Sequence, residues 1–315
     1  MERRAIGVLE VSLAGLGTNN FGRRLDEKAT REVVAAALDA GITHFDTADI
    51  YGEGRSEEYL GRALGAHRDE VVIASKFGYR GPPRGGGPQA AWVPKALEAS
   101  LRRLGTDRLD LFYYHKPDPR TPIEDVLLVL DSLLERGLVR EIGCSNFTER
   151  QLDAAAQAAD DLGVRRFAVV ENEYSLLERE PEGGDQAGEG TLAAAMRHHM
   201  AFVPYFPLAS GLLSGAYRRG RPTPRGSRLG GDGRPAEKVI GGGRLTVIER
   251  LAAYAERRGH TLLELALSYL AAHEPVASVI AGATKPEQVR VNAAATGAWR
   301  LDPEELAEVA RLAGS

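Results

Sequence analysis

One unit of polarity repeats along most of the chain: an amphipathic stretch of roughly 10 to 15 residues, a turn, and a short apolar run ending in polar residues. The helical period predicts helices over 28–40, 56–64, 93–104, 124–136, 148–162, 191–199, 245–273 in two pieces split at Gly259, 287–295 and 303–312. Apolar runs predict strands at 42–46, 71–76, 109–115, 140–145, 167–172, 201–205 and 276–281, with a weaker eighth at 297–300. Continuously apolar strands that alternate with helices are covered on both faces, as in a parallel sheet. About eight such units favour a closed (β/α)8 TIM barrel over an open sheet, and residues 1–315 are read as one domain of class α/β. Before the barrel, residues 4–16 alternate loosely around Gly7 and predict a short N-terminal β-hairpin.

Two segments break this rhythm. Residues 178–190 are acidic and glycine-rich, and residues 211–243 carry almost no apolar pattern after Tyr217. A long loop leaving the C-terminal end of a barrel strand lies on the functional face, so 211–243 is expected to act as a lid over a bound ligand. The run Gly15-Leu16-Gly17-Thr18-Asn19-Asn20-Phe21-Gly22 allows close backbone approach to a ligand, with Thr18 and Asn19 as hydrogen-bonding groups. Its spacing is not the dinucleotide-binding fingerprint, because no strand leads through it into a helix.

Composition narrows the function classes. With 43% hydrophobic and 27% charged residues and a formal net charge of -4, there is no electrostatic case for nucleic acid or a membrane as partner. The single cysteine, Cys144, excludes an internal disulfide framework. No secretory h-region follows Met1-Glu2-Arg3-Arg4, so a reducing, cytoplasmic location is expected.

On a barrel, polar residues at the C-terminal ends of successive strands converge on one mouth. Asp46 ends one predicted strand, Lys76 the next and His115 the third, while Tyr51 lies in the loop after the first. Taken singly, each has a plain reading: an N-cap acid, a surface lysine, a solvated histidine, a packing tyrosine. Their coincidence on one edge of three consecutive strands points to chemistry. A free phenol, with a pKa of about 10, is a poor acid at neutral pH. A nearby ammonium lowers that value, and a carboxylate behind it keeps the ammonium charged and oriented. A histidine beside the phenol can donate to a carbonyl oxygen, so the group suits protonation of an alkoxide as a hydride arrives. Side chains hold no hydride donor, which implies a nicotinamide cofactor.

These residues and their surroundings resemble the aldo-keto reductase superfamily along essentially the whole chain. The resemblance rests on Phe45-Asp46-Thr47-Ala48 with Tyr51-Gly52, Gly54-x-Ser56-Glu57, Ala74-Ser75-Lys76, Ser100-Leu101-Arg102-Arg103-Leu104, and Asp110-Leu111 with His115. It continues through Ile142-Gly143-x-Ser145-Asn146-Phe147, Tyr174-Ser175-Leu176-Leu177, Pro207-Leu208 with Gly211-Leu212-Leu213, and Gly282-Ala283-x-Lys285-Pro286-Glu287-Gln288-Val289 before Asn292. It implies a barrel binding NADP(H), with NAD(H) as the lesser choice, and a tetrad in which Tyr51 is the general acid, Lys76 and Asp46 tune it, and His115 orients the carbonyl. It further implies that Ser145 and Asn146 hold the nicotinamide carboxamide and that Tyr205 stacks on the ring. Leu208, Gly211 and Leu213 would surround the pyrophosphate, Lys285 and Gln288 would meet the 2′-phosphate, and Asn292 the adenine, with Gly17, Thr18, Asn19 and Gly282 also beside the cofactor. No metal is implied.

Two positions depart from the family pattern. Glu171 stands where the family has glutamine, and an ionised glutamate only accepts hydrogen bonds and favours the positively charged oxidised nicotinamide. Val291 replaces an acid near the adenine. Asn20, Phe21, Tyr79 and Trp92, and less firmly Phe77, are candidate walls for a small carbonyl substrate. Other polar residues take plain readings. His44 is expected as a hydrogen-bonded core residue by strand parity, and Cys144 as packing. The adjacent His198 and His199 cannot face one metal, and the arginines of 218–234 keep their loop solvated. The expected activity is NADPH-dependent reduction of an aldehyde or ketone, with oxidation of an alcohol or aldose by the same site as the reverse. A non-catalytic, channel β-subunit-like module is the rival, against which stands the lack of an extra N-terminal segment. Neither the substrate nor the oligomeric state is written in the sequence.

Overall fold

The computed structural model describes residues 1–79, 89–184, 188–223 and 236–314. Its strands are β1 (Arg3–Ile6), β2 (Leu9–Ser12), β3 (Ala14–Gly17), β4 (His44–Asp46), β5 (Val72–Phe77), β6 (Leu109–Tyr114), β7 (Val139–Ser145), β8 (Val169–Glu173), β9 (Ala201–Tyr205) and β10 (Val279–Gly282). Strands β3 to β10 close into a parallel eight-stranded barrel in the order β10-β3-β4-β5-β6-β7-β8-β9, while β1 and β2 form a separate antiparallel hairpin. The helices are α1 (Glu27–Asp39), α2 (Arg55–Leu64), α3 (Gln89–Leu104), α4 (Ile123–Glu135), α5 (Glu149–Leu162), α6 (Gly190–Arg197), α7 (Ala236–Ile240), α8 (Gly242–Arg257), α9 (Leu262–Ala271), α10 (Pro286–Ala295) and α11 (Pro303–Gly314). None is long and apolar enough, among the described residues, to cross a membrane.

Local chemistry sets these elements. Helix α5 begins at Thr148, whose side chain accepts from the Gln151 N–H while Gln151 returns the bond, and ends at Gly163 in the left-handed conformation. Helix α9 carries the same reciprocal box between Thr261 and Glu264. Strand β6, Leu-Asp-Leu-Phe-Tyr-Tyr, is buried at every position, because its outward residues meet helices and its inward residues fill the barrel.

Two layers of core result. Outward residues such as Phe45, Ile73, Phe112 and Ile142 pack under the helices. Inward residues Val72, Ala74, Leu111, Tyr113, Val169, Val203 and Ile280 form a second cluster that also contains Ile6, Leu9 and Val11 of the hairpin. The hairpin therefore plugs the end of the barrel where the strands begin. It is fastened there by Arg4 Nη1, which donates to the carbonyls of Ala271 (2.8 Å) and Val276 (2.6 Å), and by the Val8 N–H, which donates to Glu141 Oε1 at 2.7 Å.

Seven of the apolar runs lie on barrel strands, but 297–300 does not: it forms a turn in which Trp299 is buried against Tyr254 and His260. The remaining barrel place belongs to Ala14–Gly17, paired on one side with β10 and on the other with β4. An alanine and two glycines in four residues make a strand with little apolar signal, and they do so because neighbours press close. A Cβ on Gly17 would lie 2.9 Å from Ile280. In the 211–243 segment, expected as a loop without structure, the described residues include the end of a short turn at 209–214 and helix α7. Its Arg225, Arg228 and Arg234 lie outside the described residues.

Candidate active site

Strand β4 alternates: Phe45 points to the helices, while His44 and Asp46 point into the barrel, both buried. The chain then turns, with the Thr47 N–H on the Ala74 carbonyl (2.9 Å) and the Tyr51 N–H on the Ala48 carbonyl (3.1 Å). Residues 51–54 form one tight turn, in which Gly52 has φ 57°. A side chain on Gly52 would strike the Phe21 carbonyl oxygen at 2.7 Å, so this glycine is what lets the 18–22 loop brace the loop carrying Tyr51. Ser56 ties both loops to α2, its Oγ lying 2.8 Å from Thr18 Oγ1 and 2.9 Å from Thr47 Oγ1.

Strand β5 brings Lys76 beside Asp46. The ammonium is wholly buried and donates to Asp46 Oδ1 and to the Thr47 carbonyl at 3.0 Å. A second carboxylate oxygen, Glu171 Oε2 from β8, lies 3.3 Å from the same nitrogen, near enough for an ion pair but without hydrogen-bond alignment. Burial alone would lower the Lys76 pKa, yet the attraction of Asp46, Glu171 and Tyr51 outweighs it and holds the group charged. Nζ sits 5.5 Å from the ring centre of Tyr51 and equally 5.5 Å from that of Tyr113.

His115, just past β6, meets the Tyr51 ring edge-on with centroids 6.1 Å apart, and Tyr79 packs on its other side at 4.9 Å. Burial, aided by Lys76, lowers the His115 pKa to about 3, so the imidazole is neutral at physiological pH. For Tyr51 the balance differs from the expectation that the lysine would lower its pKa: burial wins and raises it, with Lys76 pulling the other way. The phenol is thus held protonated and able to donate.

The other side of the mouth is built by β7 to β9. Asn146 has φ 61°. Its Nδ2 donates to the His115 carbonyl at 2.9 Å, its Oδ1 accepts from the Tyr205 hydroxyl at 2.7 Å, and its backbone N–H donates to the Glu171 carbonyl at 3.1 Å. Ser145, buried, lies 3.1 Å from the Asn146 amide. Beyond Tyr205, positive φ values occur at Phe206 (52°), Ala209 (46°), Ser210 (60°) and Gly211 (95°), three of them on residues with side chains. Such strain is clustered in one partly buried turn, and backbone strain of this kind gathers at ligand sites. The Gly211 N–H and the Leu213 N–H both donate to the Leu208 carbonyl, at 2.8 and 3.2 Å. At the start of α10, Lys285 precedes Pro286, Gln288 Oε1 accepts from the Thr284 N–H at 2.8 Å, and Asn292 lines a small cavity with Gly15 and Ala283.

Several sequence-named residues are engaged elsewhere. The Thr18 hydroxyl is buried and donates to the Asp46 carbonyl at 2.9 Å, so it braces the site instead of facing a ligand. Phe21 and Phe77 are fully buried core residues and do not wall an open pocket; Phe77 stacks on Tyr114 at 5.2 Å. Leu213 is equally buried, and Asn20 Nδ2 holds the Ala283 carbonyl at 3.2 Å. Tyr79 stays half-exposed beside His115, while Trp92 packs against the core from α3. His44 is buried as expected, but neither ring nitrogen has a hydrogen-bond partner, and burial with Lys76 nearby lowers its pKa to about 3.

Sequence reasoning missed what Ser56, Glu57, Ser75 and Arg103 do. Glu57 is completely buried, accepts from Ser75 Oγ at 2.5 Å and takes the Arg103 Nε at 2.5 Å, so it locks α2 to β5 and α3 behind the Tyr51 loop. Only the polar-within-apolar pattern at 56–57 and 100–103 signalled it.

A nicotinamide cofactor fits these residues. Asn19 Oδ1 and Asn172 Oδ1 are buried polar atoms without protein partners, the 206–211 turn presents strained backbone, and Asn146 is held in a fixed orientation.

Comparison with known proteins gives the class directly: residues 14–313 match the model of the aldo/keto reductase family, and the chain belongs to that family of oxidoreductases. It is 32% identical to an aldo-keto reductase, YhdN, of Bacillus subtilis over 96% of this chain and 89% of that protein. It is 30% identical to an L-glyceraldehyde 3-phosphate reductase of Escherichia coli over 92% of this chain and 85% of the relative. It is also 32% identical to a probable voltage-gated potassium channel subunit beta of Arabidopsis thaliana, over 90% and 87%.

Proposed function

We propose that this chain reduces the carbonyl of a small aldehyde or ketone at the expense of NADPH, with Tyr51 as the proton donor. The observation that carries the reading is the buried Lys76, held by Asp46 and facing the Tyr51 ring at 5.5 Å, with neutral His115 edge-on to the same ring. A bound nicotinamide cofactor supplies the hydride. As negative charge builds on the substrate oxygen, the Tyr51 hydroxyl gives it a proton, and Lys76 stabilises the phenolate left behind. His115 Nδ1 is sealed without a partner, so the neutral ring serves best with its proton on Nε2, from which it donates to the carbonyl oxygen. Ser145 and Asn146 would hold the carboxamide, Tyr205 the ring, the 206–213 turn the pyrophosphate, and Lys285 with Gln288 the 2′-phosphate, which favours NADPH over NADH. The lid expected of 211–243 falls in part on residues 224–235, outside the described residues, and the whole chain is read as a single barrel domain.

The relatives named as reductases support catalysis, and the channel-subunit relative supports a second reading, a cofactor-binding module without turnover. Steady-state assays with NADPH and a panel of aromatic and aliphatic aldehydes separate them. Turnover is expected, and Tyr51→Phe is expected to abolish it while leaving NADPH binding nearly intact. Tight cofactor binding with no turnover on any substrate, in either direction, would overturn the enzyme reading.

A further inference from the structure

The buried cluster under the mouth holds more negative than positive groups. Lys76 is one cation facing two carboxyls, Asp46 and Glu171, and among the described residues it is their only ion-pair partner. The titratable groups turned toward Glu171 are Asp46 on β4, Lys76 on β5, Tyr51 after β4, Tyr113 on β6 and Tyr205 on β9. His44 and His115, also near Lys76, are held neutral by burial. With both carboxyls ionised, a site closed to water carries an unbalanced negative charge, which is expensive in a low-dielectric interior.

Two events can remove it: a proton on one carboxyl, or a cation arriving above. Asp46 keeps the hydrogen bond from Lys76, whereas Glu171 has the unaligned 3.3 Å contact with that ammonium and a side-chain hydrogen bond with Asp46 that raises its own pKa and lowers that of Asp46, so the proton falls on Glu171. Glu171 lies under the residues expected to hold the nicotinamide: its Cα is paired with Ser145, and its carbonyl receives the Asn146 N–H. We propose that Glu171 is a positioning residue whose proton matches the site to the charge of the nicotinamide, ionised beneath the cationic oxidised ring and protonated beneath the neutral reduced one. This rests on the proposed use of NADP(H). In its protonated form a carboxyl both donates and accepts, as the family's glutamine amide does, so the departure from the pattern is silent toward NADPH and becomes a charge only toward NADP⁺. Burial and the repulsion of Asp46, opposed by Lys76, raise the Glu171 pKa to about 8, which places the exchange near physiological pH.

By linkage, binding of NADP⁺ near pH 7 should expel a proton, and binding of NADPH should not. Calorimetric titration of the whole protein with each cofactor, in buffers of different ionisation enthalpy, reads both affinity and proton release. The 2′-phosphate is common to both cofactors and cancels in their ratio. For the unaltered chain, NADP⁺ is expected to release close to one proton at pH 7 and to tighten about a hundredfold relative to NADPH between pH 7 and pH 9, about tenfold from its own gain and about tenfold from the weakening of NADPH. Glu171→Gln is expected to show neither effect, and Glu171→Asp to retain proton release. A ratio independent of pH in the unaltered chain, or a pH dependence that survives in Glu171→Gln, overturns the inference while leaving the reductase reading intact. Failure of the unaltered chain to bind either cofactor removes that reading, and this inference with it.

Discussion

The Tyr205 hydroxyl donates to Asn146 Oδ1 at 2.7 Å, and this bond fixes the face that the Asn146 amide turns to the barrel mouth. Since Asn146 Nδ2 is meanwhile drawn to the His115 carbonyl, one amide links β9 to the end of β6.

Tyr205→Phe removes that link without emptying the space the ring fills. A neutral hydrogen bond contributes about 1 kcal/mol, so cofactor affinity is expected to weaken about fivefold with little change in melting temperature. Fluorescence titration with NADPH checks this; an unaltered dissociation constant would mean Asn146 is held well enough by its other bonds.

Arg103 neutralises Glu57, a carboxylate with no exposed surface. Arg103→Ala leaves that charge buried without a cation, a change that costs about 3–5 kcal/mol in comparable settings. The double variant Arg103→Ala with Glu57→Gln is expected to recover part of the loss in urea unfolding. If the single and double variants unfold alike, the pair does not act as a unit.

Helices α2 and α3 touch through Gly61, where a Cβ would lie 2.1 Å from the Leu104 carbonyl oxygen. Backbone cannot yield as a flexible side chain does, so Gly61→Ala is expected to destabilise by about 1–3 kcal/mol. Because α2 carries Ser56 and Glu57, the same change should lower kcat through the Tyr51 loop; thermal melting and steady-state assays together check both.

His44 and His115 each have a folded pKa near 3 against an unfolded value of 6.5. The unfolded chain therefore binds more protons between those limits, and the stability due to each neutral ring, present above pH 6.5, is lost as pH falls toward 3. Buried acids work in the opposite sense: Asp49, raised to about 7 by burial and by Glu57, and Glu171, raised to about 8, favour folding most at low pH and lose that advantage as pH rises. The clean test is a difference. His44→Gln is expected to lose stability less steeply on acidification than the unaltered chain, by up to about 1.4 kcal/mol per pH unit below pH 6. Parallel curves would show that His44 takes up no proton on unfolding.

Much of the barrel was legible because strands such as Val72–Phe77 and Leu109–Tyr114 are buried on both faces and so read as apolar runs. Ala14–Gly17 was not, since its place depends on closeness to β10 and β4, which small residues permit but do not announce. The run at 297–300 misled because Trp299 is apolar and buried in a turn, with its N–H on Ser268 Oγ at 3.1 Å. In the site, Asp46, Lys76 and His115 stood out as polar strand ends. The contact of Glu171 with Lys76 did not, because parity tells which way a side chain points but not which residue meets it from a strand across the barrel. Similarly, Thr18 and Phe21 sit in a glycine-rich loop that reads as ligand-facing until its packing against the Tyr51 turn is seen.

The hairpin at the other end of the barrel has a consequence for proton traffic. Ile6, Leu9 and Val11 are seated among the inward residues of five strands and close the end of the barrel below Lys76 with an apolar layer. Asp46, Lys76 and Glu171 therefore exchange protons with solvent from above, past Tyr51 and His115. Whatever occupies the mouth then covers that route, so a proton given up as a ligand binds has to leave before the mouth closes.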